Sequence, residues 1–134
     1  VMCRGGATQI EKIFNHALKQ TKQRKVNAVV FVGDAMEENI DTLCHKAGEL
    51  KLLGVPVFIF HEGGDRTARR AFEQIAQLSG GAYCPFDASS AGQLRDLLAA
   101  VAIFAAGGRK ALLEHGDKQG GAVLRLTHQL SENT

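Results

Sequence analysis

Apolar residues recur at helical spacing in four places along the chain. Ile10, Ile13, Phe14, Ala17 and Leu18 fall at i, i+3, i+4, i+7 and i+8, which makes one stripe on a helix. Thr8 just ahead of the stripe, with Glu11 three residues on, forms a capping-box pattern. A second stripe runs through Ile40, Leu43, Cys44, Ala47, Leu50 and Leu53 and ends at Gly54. The third uses Ala68, Ala71, Phe72, Ile75 and Ala76, with Asp65 to cap it and Gly80-Gly81 to stop it. The fourth uses Leu94, Leu97, Leu98, Val101 and Ala102 and gives out at Gly107-Gly108.

Between the stripes lie short β-branched runs. Ala28-Val29-Val30-Phe31-Val32 and Val55-Pro56-Val57-Phe58-Ile59-Phe60 are nearly continuous apolar stretches. Strands buried on both faces read this way, so the pattern predicts a parallel sheet covered by helices, with Phe31 and Ile59 in its core. Gly81-Ala82-Tyr83-Cys84 is a shorter third strand, and Pro56 sits near a strand start, where its missing N–H costs least. Residues 122–130 fit two patterns: Leu124, Leu126 and Leu130 alternate like a strand, while Val123, Leu126, Thr127 and Leu130 share a helix face. Helix is the preferred reading there. The expected organisation is one α/β domain over residues 1–108 with a C-terminal extension over 109–134.

Composition narrows the function classes. A chain of 134 residues is long enough for a hydrophobic core without metal or disulfide staples. A net charge of +2 spread over that length gives no nucleic-acid footprint. The longest apolar run, from Leu97 to Ala106, has ten residues, too few for a bilayer core of about 30 Å. Three cysteines, Cys3, Cys44 and Cys84, share no metal spacing and suit a reducing compartment, so a cytoplasmic location is expected. No secretory signal is visible, and Val1 ahead of Met2 suggests a piece of a longer protein or a processed product.

Several catalytic signatures are missing. Gly63-Gly64-Asp65-Arg66-Thr67 has neither the spacing nor the lysine of a phosphate loop, and no Gly-x-Ser-x-Gly elbow follows a strand. Cys44 and His45 are neighbours on one helix and diverge by about 100°, so they cannot share a metal. Two features remain. Asp34 directly follows the strand of Val29 to Val32, at the end where open parallel sheets bind ligands. There it serves either a cation or water, or the capping of the next helix, a task Asn39 could equally perform. Arg4-Gly5-Gly6-Ala7-Thr8 is a glycine turn that delivers a hydroxyl to a helix start, for ligation or for plain N-capping. An enzyme remains the alternative: a flavodoxin-like or hydrolase-like α/β domain using Asp34 and His61, at adjacent strand ends, in acid–base work.

The order Gly-Gly-x-Thr, amphipathic helix, apolar strand ending in Asp, helix, strand, helix, then IAQLSGGAY resembles a von Willebrand factor type A domain. RGGATQIEKIFNHAL resembles that family's second metal loop with its following helix, and AVVFVGDAMEEN the strand that delivers the third metal-site acid. FEQIAQLSGGAYCPFDASSAGQLRDLL resembles the stretch through the last strand into the final helix, so the likeness covers residues 4 to 106. It implies a three-layer, Rossmann-like parallel sheet, here truncated at the N-terminus. It also implies a module that binds a protein partner through a metal-ion-dependent adhesion site holding Mg²⁺. On that pattern Thr8 supplies a hydroxyl ligand and Asp34 an acid, a set suited to a hydrated, oxygen-ligated ion. Two departures stand out: the family's Asp-x-Ser-x-Ser loop is absent, and Ala35 stands where glycine is common. Mg²⁺ is therefore expected in the complete domain and not in this chain. With the leading strands missing, residues 28–32 would form an unprotected sheet edge, so a homodimer is expected there, by direct pairing or by swapping residues 122–130.

Overall fold

The computed structural model describes residues 2–4, 10–24, 26–34, 39–87, 89, 91–116, 126, 129 and 130. Among these residues, four parallel strands alternate with four helices. The strands are β1 (Met2–Arg4), β2 (Val29–Gly33), β3 (Val57–Glu62) and β4 (Ala82–Phe86). The helices are α1 (Ile10–Gln23), α2 (Ile40–Leu52), α3 (Arg66–Ser79) and α4 (Ala91–Gly116). The spatial order of the strands is their chain order, β1-β2-β3-β4. Register pairs Cys3 with Phe31, Phe31 with Ile59, and Ile59 with Tyr83. When every crossover steps one strand in the same direction with the same hand, every connecting helix lands on the same face.

The core shows that arrangement. Ile10, Phe14 and Ala17 from α1, Leu43, Ala47 and Leu50 from α2, and Ala68, Phe72 and Ile75 from α3 pack with Val29, Phe31, Val57, Ile59 and Tyr83. On the opposite face Val30, Val32, Phe58, Phe60, Ala82 and Cys84 pack with Leu97, Ala100 and Val101 of α4, and with Leu112, Leu126 and Leu130. The architecture is thus α/β, three-layered and Rossmann-like. The continuous apolar runs have their cause here, since alternate residues of each strand serve different cores. Phe31 and Ile59 are each 1% exposed, as expected of the sheet core.

Helix ends follow local chemistry. Asn39 caps α2 by accepting from the Thr42 N–H, so Asp34 does not perform that task. Asp65 caps α3 by accepting from the N–H groups of Thr67 and Ala68, and Gly80 closes it in the left-handed region at φ 79°. Gly81 admits no side chain, because a Cβ there would lie 1.9 Å from the Val57 carbonyl oxygen. Buried Ser79 ties the same junction together: its hydroxyl accepts from the Val57 N–H at 2.9 Å and donates to the Ala76 carbonyl at 2.9 Å.

Several expectations need correction. Met2–Arg4 forms a strand, so Arg4 belongs to β1 and not to a glycine turn. β4 extends past Cys84 through Pro85 to Phe86. The last helix does not stop at Gly107-Gly108; it breaks at Gly108, where φ is 76°, and resumes to Gly116. In the turn before that break, where helical carbonyls lose their donors, the Asn27 side chain donates to the Ala105 carbonyl at 3.1 Å. Most of 122–130 lies outside the described residues, but Leu126, Gln129 and Leu130 are helical. Above all, β2 is no edge. It lies between β1 and β3, which removes the ground on which a dimer across 28–32 was expected.

β4 is an edge of the sheet, and it is guarded. The Tyr83 N–H donates to Gln129 Oε1 and Gln129 Nε2 donates to the Tyr83 carbonyl, both at 2.7 Å. One carboxamide therefore stands in for the peptide of a neighbouring strand. Pro85, two residues on and so turned to the same side, has no N–H to offer.

Candidate functional site

The C-terminal ends of β2, β3 and β4 lie side by side, because the strands are parallel and in register: Gly33 pairs with His61, and His61 with Pro85. Chain segments leave the sheet here, and open α/β sheets bind ligands at this end. Asp34 is the first residue beyond β2 and is exposed. β1 ends at the same place, with Arg4 in register with Val32, so the chain leaves β1 beside the strand that carries Asp34. Thr8, the other residue expected at a metal, lies outside the described residues.

His61 is brought next to Asp34, though not as an acid–base pair. The imidazole is 1% exposed, and its Nε2 lies 3.3 Å from the backbone carbonyl oxygen of Asp34. Its Nδ1 lies 2.7 Å from the Tyr83 hydroxyl. A carbonyl oxygen only accepts, so Nε2 is the donor; in the neutral ring Nδ1 then accepts the Tyr83 O–H. The Phe72 ring stands edge-on to the imidazole with centroids 5.1 Å apart. Both nitrogens are engaged and the ring is enclosed, which leaves no open nitrogen for a substrate.

Tyr83 is 7% exposed, and burial pushes its phenol pKa up. The Arg69 guanidinium opposes that rise, while Glu73 adds to it. Arg69 and Glu73 are themselves paired one turn apart on α3. A line of hydrogen bonds therefore runs across three strands, from Tyr83 on β4 through His61 on β3 to the carbonyl of Asp34 just beyond β2. Tyr83 was not singled out from the sequence. It is the sole tyrosine in the chain and stands in a buried strand, where a phenol needs a partner for its hydroxyl.

Beside this line an open depression of about 540 Å³ is lined by Glu62, Gly63, Pro85, Phe86, Asp87 and Gln93. Neither Asp34 nor His61 lines it. The Ser89 N–H donates to Asp87 Oδ1 at 2.9 Å, and hydrogen bonds from Ser89 hold that carboxyl below its usual range. Among the described residues no group of three or more histidines, cysteines or carboxylates is placed to hold a metal ion. Cys44 and Cys84 are free thiols, and burial raises the pKa of Cys44. Among the described residues no helix is long and apolar enough to cross a membrane. Comparison with protein-family models, with curated proteins and with solved structures yields no match to the chain.

Proposed function

We propose that this chain is part of a protein-binding module of the von Willebrand factor type A kind, which in complete form captures an acidic partner residue on a divalent cation. The observation that carries the reading is the convergence of β1 and β2. Asp34 stands exposed at the end of β2 and is not used to cap α2. Beside it the chain leaves β1 at Arg4, four residues ahead of Thr8 in the sequence, whose hydroxyl the resemblance assigns to the ion. If Thr8 adds its hydroxyl to the Asp34 carboxylate, as the resemblance implies, the pair suits a hydrated Mg²⁺ ion. The family's Asp-x-Ser-x-Ser loop would complete the ligand set, and in this reading it comes from outside these 134 residues. The enzyme alternative loses its base, because His61 is enclosed with both nitrogens engaged.

Titration with Mn²⁺, followed by calorimetry, tests the reading. The 134-residue chain alone is expected to show no saturable submillimolar site, since two ligands do not make one. A form that carries an Asp-x-Ser-x-Ser loop ahead of β1 is expected to gain a site that Asp34→Ala removes. A site in that form indifferent to Asp34→Ala would defeat the reading, and a submillimolar site in the chain alone would defeat its account of the ligands.

A further inference from the structure

We infer that His61 is the positioning residue of the Asp34 turn: a buried imidazole whose Nε2–H grips the Asp34 carbonyl and so holds the carboxylate-bearing residue at the end of β2. The inference rests on the cation reading for its purpose, but its geometry stands without it.

The chemistry of the core requires a specific explanation for this ring. The His61 ring meets those of Phe72 and Tyr83, which belong to the apolar core that also holds Phe31 and Ile59, and a leucine or phenylalanine would pack there without any polar atom to satisfy. A buried imidazole is tolerated only if its polar atoms are bonded, and both are. The Tyr83 bond is short, at 2.7 Å, and joins two groups that are each at least nine-tenths buried. It anchors the ring on the β4 side. Phe72 closes the ring from α3. With two sides fixed, the remaining nitrogen has one direction in which to point, toward β2.

The residue it reaches lies beyond the last ladder pair of β2 and β3. Gly33 is in register with His61, and Asp34 comes one step further. The ladder between β2 and β3 therefore ends where the His61 bond begins. Gly33 also places no side chain on the shared face between the ring and its target. The imidazole extends the order of the sheet by one residue, to the residue that carries the carboxylate.

Nuclear magnetic resonance on the labelled 134-residue chain tests this without any metal present. In the wild type the ring nitrogens are expected to show the tautomer with the proton on Nε2; a proton on Nδ1 overturns the assignment, and this measurement needs no variant to fold. Two substitutions then separate the two bonds. His61→Gln keeps an amide nitrogen as many bonds from the backbone as Nε2, while His61→Asn reaches only as far as Nδ1. The Asp34 carbonyl carbon is expected to stay near its wild-type position in His61→Gln and to move upfield in His61→Asn, with similar losses of melting temperature in both. A carbonyl that moves equally in both variants, or in neither, makes His61 a core residue only and overturns the assignment. Mn²⁺ broadening of Asp34, measured in a form that carries the Asp-x-Ser-x-Ser loop, tests the cation reading separately; its absence would remove the purpose and leave the carbonyl result standing.

Discussion

The two faces of the sheet are built by different means. One is covered by α1, α2 and α3, each delivered by a crossover that could not have gone elsewhere, and each presenting a single apolar stripe. The other is covered by α4, broken at Gly108, and by Leu126 and Leu130 from further along the chain. The first face is closed by connectivity; the second depends on a broken helix and the residues that follow it. The functional features sort the same way. His61 and Tyr83 face the side of α1, α2 and α3, where the cover is continuous, while the guard on the β4 edge comes from the last part of the chain.

The largest expected effects test this contrast directly. Phe31→Ala, on the first face, should cost about 3–5 kcal/mol by urea unfolding. Phe58→Ala should fall near 3 kcal/mol, because its cavity lies against Phe104, a half-buried ring in the turn before the α4 break that is free to settle into it. A larger loss at Phe58 than at Phe31 would reverse the comparison, and a loss below about 0.5 kcal/mol at Phe31 would refute a sheet buried on both faces. Leu130→Ala should cost about 2 kcal/mol and leave the melting transition single, since Leu130 shares the second core. An early transition that releases the tail alone would show that it docks as a separate unit.

Smaller effects sharpen the picture at the edge and at the buried pair. Gln129→Ala should cost about 1 kcal/mol and raise self-association in sedimentation, because Tyr83 then offers its backbone groups to another strand. The smallest effect is alkaline. Burial raises the Tyr83 pKa above its ordinary value near 10. Below pH 10 the phenol is protonated in both states and its contribution is complete. As pH climbs past 10 the unfolded chain gives up this proton first, so stability falls until the folded pKa is passed. Tyr83→Phe should flatten that part of the pH–stability curve, and a curve unchanged by the substitution would show that the phenol titrates alike in the folded and unfolded chain, so that burial does not raise its pKa.

Much of the first face was readable in the sequence. Apolar residues of α1 and α3 repeat on one side only, with Asp65 as the start signal and Gly80 as the stop signal of α3, both local in mechanism. α4 was harder, since the run from Leu97 to Ala106 is apolar all round and hides which side faces the sheet. β1 was missed because three residues, Met-Cys-Arg, carry no period. Pro85 made β4 look shorter than it is, for a proline that turns its nitrogen to an open edge breaks no ladder bond. Asp34 and His61 were legible as neighbours from strand ends alone. Their contact through a backbone carbonyl was not, nor was Tyr83, whose partner is 22 residues away on another strand. Thr8 lies outside the described residues.

The strand order has a consequence for how the chain is assembled. Partners in the sheet are 28 residues apart from Met2 to Val30, 28 from Val29 to Val57 and 24 from Phe58 to Ala82. Among the described strands, none has to be inserted between two that have already paired. Each arrives as the next length of chain and meets an edge that its predecessor has just created, so the distance to be searched stays nearly constant as the domain grows. A chain emerging from the ribosome could lay down β2 on β1, β3 on β2 and β4 on β3 in the order of translation. Only then would α4, Gln129 and Leu130 arrive, to cover the remaining face and guard the β4 edge against a neighbour.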